Sequence, residues 1–121
     1  MIVAVLDDLM FTSKIRAAAA GLGVTVTFVR SAEAALAALR APEASPKAGL
    51  VLLDLNGTAT DPLGVVAAIR ADDALPNVPI VGFISHVQTG AIEAARLAGT
   101  TEVLSRSAFV QRLPELLTRD V

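Results

Sequence analysis

Short apolar runs alternate along this chain with longer segments in which apolar positions recur at helical spacing. The runs Ile2 to Leu6, Val24 to Val29, Leu50 to Leu53, Val78 to Ile84 and Glu102 to Leu104 are rich in β-branched residues and predict five strands. Val51, Leu52 and Leu53 are apolar without alternation, which suits a strand buried on both faces. Strands interleaved with helical segments predict an α/β fold, a doubly wound parallel sheet with helices on both faces.

The helical segments carry their own punctuation. Lys14 to Leu22 places Ile15, Ala18, Ala19 and Leu22 on one face, and Gly23 follows where a helix stops. Ser31 is positioned as the N-cap of a second helix, with Glu33 favourable in its first turn and Ala34, Leu36 and Leu39 as core candidates. Pro42 and Pro46 mark a loop. Pro62 suits the first turn of a third helix, where its missing N–H has no partner, and Val65, Val66 and Ile69 form the apolar face. A fourth helix is expected from about Gln88 to Ala98, ended by Gly99. Because proline inside a helix costs about 3 kcal/mol, the last helix is expected to begin near Gln111, with Pro114 in its first turn.

Length and composition narrow the function. The 121 residues fit one domain, 1–121, with no room for a separate output domain. A hydrophobic fraction of 54% is high, yet no run approaches the roughly 20 apolar residues of a membrane span. Ile2 to Leu6 leads straight into Asp7 and Asp8 rather than a cleavage site, so a cytoplasmic protein is expected. The absence of cysteine excludes thiolate metal sites, disulfides and cysteine nucleophiles, and a single histidine excludes a histidine-rich metal centre. A net charge of −2 with only 3% aromatic residues provides neither the basic footprint nor the stacking surface typical of nucleic-acid binding. The expected partners are proteins, with no nucleic acid and no membrane.

Candidate chemistry gathers at the carboxyl edge of the expected sheet, where open α/β sheets bind ligands. Asp7 and Asp8 follow the first strand and Asp54 ends the third, so adjacent strands place three carboxylates in one pocket. Like charges about 4 Å apart repel by roughly 4 kcal/mol at an effective dielectric near 20. The cluster therefore calls for a cation, a shared proton or a basic side chain. Oxygen-only ligands suit Mg²⁺, and a carboxylate beside that ion can attack a phosphoryl group. An aspartate after a strand is also a common helix cap or turn former.

From Ile2-Val3-Ala4-Val5-Leu6-Asp7-Asp8 and Leu50-Val51-Leu52-Leu53-Asp54-Leu55-Asn56, the sequence resembles the receiver domains of bacterial two-component response regulators over essentially its whole length. The resemblance implies a flavodoxin-like, five-stranded sheet in the order 2-1-3-4-5. It further implies that Asp54 accepts a phosphoryl group from a sensor histidine kinase or phosphotransfer protein. Mg²⁺ would be bound by Asp8, Asp54 and the backbone carbonyl of Asn56, with Asp7 acting through water. Ser85 matches the family's hydroxyl residue after the fourth strand, and Arg106 stands in place of its lysine after the fifth. Such a protein is a signalling module rather than an enzyme, acting through a downstream protein partner docked on the fourth helix, fifth strand and fifth helix. A homodimer is left open.

Four positions depart from the family pattern. Arg106 replaces a compact ammonium by a planar fork that could hold a phosphoryl oxygen or pair with Asp54 and block the pocket. His86 follows Ser85 where a small residue is usual, Ser107 stands where proline is usual, and Val103 occupies the aromatic switch position. The fourth strand also runs one residue longer than usual, so the Ser85 assignment depends on a bulge. Two other readings follow from these residues. One is a phosphorylation-independent interaction module held in one state by Arg106. The other rests on Asp54-Leu55-Asn56-Gly57-Thr58, which resembles the first motif of haloacid-dehalogenase-like phosphatases, although Asn56 cannot transfer the proton required there.

Overall fold

The computed structural model describes residues 2–40, 49–57, 60–73, 75, 78–85 and 89–118. Strands β1 (Ile2–Val5), β2 (Val26–Val29), β3 (Leu50–Asp54), β4 (Ile80–Ile84) and β5 (Glu102–Ser105) alternate with helices α1 (Leu9–Leu22), α2 (Ala32–Arg40), α3 (Pro62–Arg70), α4 (Thr89–Ala98) and α5 (Arg106–Thr118). All strand pairs are parallel, in the order β2-β1-β3-β4-β5. This is the doubly wound architecture expected from the alternation of strands and helices.

Side chains along each strand divide between two cores, as the two-residue strand period requires. Ile2, Ala4, Leu52, Val81 and Phe83 pack with Phe11, Ile15 and Ala19 of α1 and with Phe109, Leu113, Leu116 and Leu117 of α5. Val3, Val5, Val51, Leu53 and Ile80 pack on the other face with Ala35 and Leu39 of α2 and Val65, Val66 and Ile69 of α3. The central strands β3 and β4 are buried throughout, which explains their unbroken apolar sequence. Leu36 is only partly buried, Ala34 is half-buried, and Leu22 is exposed.

Two helix starts differ from expectation. α1 begins at Leu9 rather than Lys14, because Asp8 is its N-cap and accepts hydrogen bonds from the backbone N–H groups of Met10 and Phe11. α5 begins at Arg106 rather than Gln111, with the Ser105 hydroxyl accepting from Ala108 N–H, so Pro114 lies inside the helix. Pro114 is exposed, as is Val110, whose carbonyl loses the helical donor that an N–H at position 114 would supply. The burial of Phe109, Leu113, Leu116 and Leu117 against the sheet, together with the cap, holds the helix through this local penalty.

The remaining boundaries follow the sequence closely. Gly23 ends α1 in the left-handed conformation, with φ of 70°. Gly99 after α4 also has positive φ, 116°, and a Cβ there would lie 2.8 Å from Cγ of Arg70. Pro62 stands at the start of α3, preceded by the cap Asp61. Val78 and Pro79 precede β4 rather than lengthening it, and Ile80 to Phe83 pair residue for residue with Val51 to Asp54. No bulge interrupts that paired stretch. The expected Pro42–Pro46 loop and the Gln88 start of the fourth helix lie outside the described residues.

Candidate functional site

The register of β1 and β3 builds the site. Val5 pairs with Leu53, so the chain leaving β1 carries Asp7 and Asp8 alongside Asp54 at the end of β3. On the other side Asp54 pairs with Phe83, one residue short of the end of β4. Ser105 pairs with Ile84, which places Arg106 at the same edge. Asp7, Asp8, Asp54, Ser85 and Arg106 are thereby brought to one end of the sheet.

Asp54 is only 2% exposed. One carboxylate oxygen accepts from the backbone N–H of Asn56 at 2.9 Å. The other lies 3.4 Å from Nη2 of Arg106, and the same nitrogen is 3.5 Å from Oδ2 of Asp8. These distances are long for N–H···O hydrogen bonds, so the contacts are chiefly Coulombic. Burial pushes the Asp54 carboxyl above the ordinary carboxylate range, and the charges of Asp8 and Asp7 push the same way. The Asn56 N–H and the Arg106 guanidinium oppose that rise without cancelling it.

Arg106 is held from below as well as from the side. Its guanidinium carbon lies 4.5 Å from the centroid of the Phe11 ring. Phe11 in turn stacks on Phe83 at 5.0 Å, and Phe83 on Phe109 at 4.2 Å. The buried Nε of Arg106 has no hydrogen-bond partner among the described residues. One guanidinium nitrogen thus faces two carboxylates, while the Phe11 ring lies beneath the group. Asp8 divides its oxygens between roles: Oδ1 caps α1 and Oδ2 faces Arg106.

Ser85 is exposed at the mouth, and its backbone N–H donates to Oδ1 of Asn56 at 2.6 Å. This bond ties the loop after β3 to the end of β4. Asp7 is exposed, with its Oδ1 near Gly57, where an added Cβ would also meet Thr60 Oγ1 at 2.7 Å. Val103 is half-buried in β5, opposite Gly82, and Ser107 is exposed with its hydroxyl 3.3 Å from that of Ser105. His86 lies outside the described residues.

The roles of Phe11 and the Asn56 side chain were not read from the sequence. Starting α1 at Lys14 left Phe11 in a loop, whereas recognising Asp8 as a cap places Phe11 one turn into the helix and under the pocket. Nothing in the local sequence marks the Asn56 to Ser85 bond, because its partners are 29 positions apart.

The donor set of the pocket is that of a divalent-cation site only in part. Among the described residues no group of three or more acidic or histidine side chains is arranged to hold a metal. Oδ2 of Asp8 and Oδ2 of Asp54 nevertheless face one point, now taken by Nη2 of Arg106. Two carboxylates completed by carbonyl oxygen and water are the usual protein contribution to Mg²⁺. The oxygens fit the ion, and Arg106 competes for their charge.

No protein-family model and no curated protein matches the sequence. Solved structures do match in fold. The phosphorylated cyanobacterial phytochrome response regulator RcpA is 25% identical, with 98% of this chain and 88% of that chain covered at a TM-score of 0.75. The receiver domain of the sensor histidine kinase PA1611 from Pseudomonas aeruginosa PAO1, with magnesium coordinated in its active-site cleft, is 24% identical over 98% and 93% of the two chains, with a TM-score of 0.77. The receiver domain of NtrX from Brucella abortus is 23% identical over 99% and 97%, with a TM-score of 0.75. With the same strand order and near-complete coverage on both sides, this chain has the receiver-domain fold of response regulators.

Proposed function

We propose that the protein is a response-regulator receiver that accepts a phosphoryl group on Asp54 and signals through protein contacts. The observation that carries this reading is the buried Asp54 at the end of β3, facing Asp8 on one side and a guanidinium on the other. The resident cation would be Mg²⁺, held by Asp8, Asp54 and the backbone carbonyl of Asn56, with Asp7 through water. It would supply positive charge to the transferring oxygens. An Asp54 oxygen attacks phosphorus as the bond to the donor's histidine nitrogen, or to the acyl oxygen of a small phosphodonor, breaks. Arg106 and Ser85 would hold the phosphoryl oxygens once Arg106 turns away from the carboxylates.

The donor would be a sensor histidine kinase or phosphotransfer protein, and the receiver of the signal a downstream protein, in the cytoplasm. Among the described residues no helix is long and apolar enough to cross a membrane. A signalling role rather than an enzymatic one is supported by the receiver fold and by Asn56, whose side-chain amide lacks the acid–base function of a phosphatase aspartate. Incubation with Mg²⁺ and acetyl phosphate, followed by intact-mass measurement, is expected to show one phosphoryl adduct that is lost in Asp54→Asn. No adduct on the unsubstituted protein would refute phosphoacceptance.

The Arg106 contact with both aspartates favours a second reading, an interaction module fixed in one state without phosphorylation. In that case Asp54→Ala leaves partner affinity unchanged. An affinity that changes on phosphorylation removes this reading.

A further inference from the structure

Beside the acidic pocket, where Leu6 and Leu9 flank Asp7 and Asp8, the face between α1 and the edge strand β2 is hollow and carries two arginines. Residues 9–32 carry Lys14, Arg16 and Arg30 and no acidic residue, in a chain whose net charge is −2. Among the described residues neither Arg16 nor Arg30 meets a carboxylate, whereas Arg40, Arg106 and Arg112 all do. Arg16 instead lies over the Phe28 ring, 4.8 Å from its centroid.

A cavity of about 340 Å³ opens beside this pair, walled by Leu6, Leu9, Phe28 and Val29, with Thr12, Arg16 and Arg30 supplying its polar groups. The Thr12 hydroxyl is already used, donating to the Asp8 carbonyl, so the two guanidinium groups are the donors left for a ligand. A second cavity of about 310 Å³ lies further along α1, lined by Ala19, Ala20, Val24 and Val26 and sharing Arg16 and Phe28 with the first. Arg16 over Phe28 is therefore a partition between two chambers of one trough. Leu9, at its mouth, is 70% exposed, so the apolar wall continues into solvent.

We propose that this trough binds an amphipathic organic anion, a carboxylate on an aliphatic body, with Arg16 and Arg30 holding the carboxylate and Leu6, Leu9, Phe28 and Val29 covering the body. Guanidinium forks match carboxylate geometry bidentately, and apolar walls with a few charged groups are the usual make-up of a small-ligand site. Each chamber lies at the lower end of the roughly 300–1,000 Å³ range of such sites, which favours a small molecule over a folded partner. A longer body reaches the second chamber when Arg16 leaves Phe28 to grip the anion.

The test is titration of the full, ¹⁵N-labelled chain with decanoate, followed by backbone amide and arginine side-chain signals. Decanol and decyltrimethylammonium serve as uncharged and cationic controls of equal chain length. Saturable shifts are expected at Leu6, Leu9, Thr12, Arg16, Phe28 and Arg30, with no saturation for either control. The Arg16→Gln/Arg30→Gln variant, altered only at exposed positions, is expected to weaken decanoate about tenfold, as loss of two partly solvated charge contacts implies. Shifts that fail to saturate overturn the proposal, as does equal binding of decanol or an affinity unmoved by the double substitution. Binding of an acidic amphipathic peptide without binding of decanoate overturns it equally.

Discussion

Replacing Arg106 by glutamine is expected to strengthen Mg²⁺ binding about tenfold. Nη2 of Arg106 is 3.4 Å from Oδ2 of Asp54 and 3.5 Å from Oδ2 of Asp8. For opposite unit charges 3.4 Å apart, the attraction is about 1.2 kcal/mol in bulk water and about 5 kcal/mol at an effective dielectric of 20. Asp54 is buried but the Arg106 side chain is 29% exposed, so solvent screens the pair and the lower part of that range applies, about 1–2 kcal/mol. A cation entering between the carboxylates must forgo this attraction and meet a like charge. Glutamine keeps much of the packing over Phe11 while removing both costs, and about 1.4 kcal/mol corresponds to a factor of ten. Isothermal titration calorimetry of both proteins measures the ratio directly. A dissociation constant unchanged within about twofold, or weaker in Arg106→Gln, would refute the competition between guanidinium and ion.

Asp54→Asn is expected to raise thermal stability near neutral pH. The folded-state pKa of Asp54 lies above its ordinary value, so the native state binds more protons than the unfolded chain. Asp54's favourable contribution is present in acid and lost as pH rises through the folded pKa. The stabilisation of the variant therefore shrinks towards zero as pH falls to about 4; thermal melts across that range check it, and a gain that grows in acid contradicts the sign. At Asp8 two substitutions separate two roles. Asp8→Ala loses the α1 cap and about 1 kcal/mol in urea denaturation, whereas Asp8→Asn keeps the cap and loses the charge facing Arg106, so that its main effect is on Mg²⁺ affinity.

The sheet was legible because burial on both faces leaves a plain mark: unbroken apolar runs at β3 and β4, each ended by polar residues at the same edge. Asp7, Asp8 and Asp54 were legible for the same reason, since strand ends in a parallel sheet share an edge. The α1 start was obscured by exposed Leu9 and Met10, which break the amphipathic pattern where Asp8 already caps the helix. The α5 start was obscured because the cost of Pro114 is local, whereas the Ser105 cap stands nine residues before it and the burial of Phe109, Leu113, Leu116 and Leu117 that holds the helix depends on the sheet. Long-range pairings such as Asn56 with Ser85, and the placement of Arg106 over Phe11, depend on loop geometry that no local period encodes.

The ring beneath Arg106 has a spectroscopic consequence. The protein has no tryptophan or tyrosine and only four phenylalanines, and three of these form the stack from Phe11 through Phe83 to Phe109. A guanidinium lying over the first of them sits in that ring's diamagnetic shielding cone. Its side-chain protons are expected to carry an upfield shift, one that is lost if Arg106 leaves the ring for another anion. The occupancy of the acidic pocket can thus be followed in solution from the resonance of one native side chain, with no dye, tag or introduced chromophore.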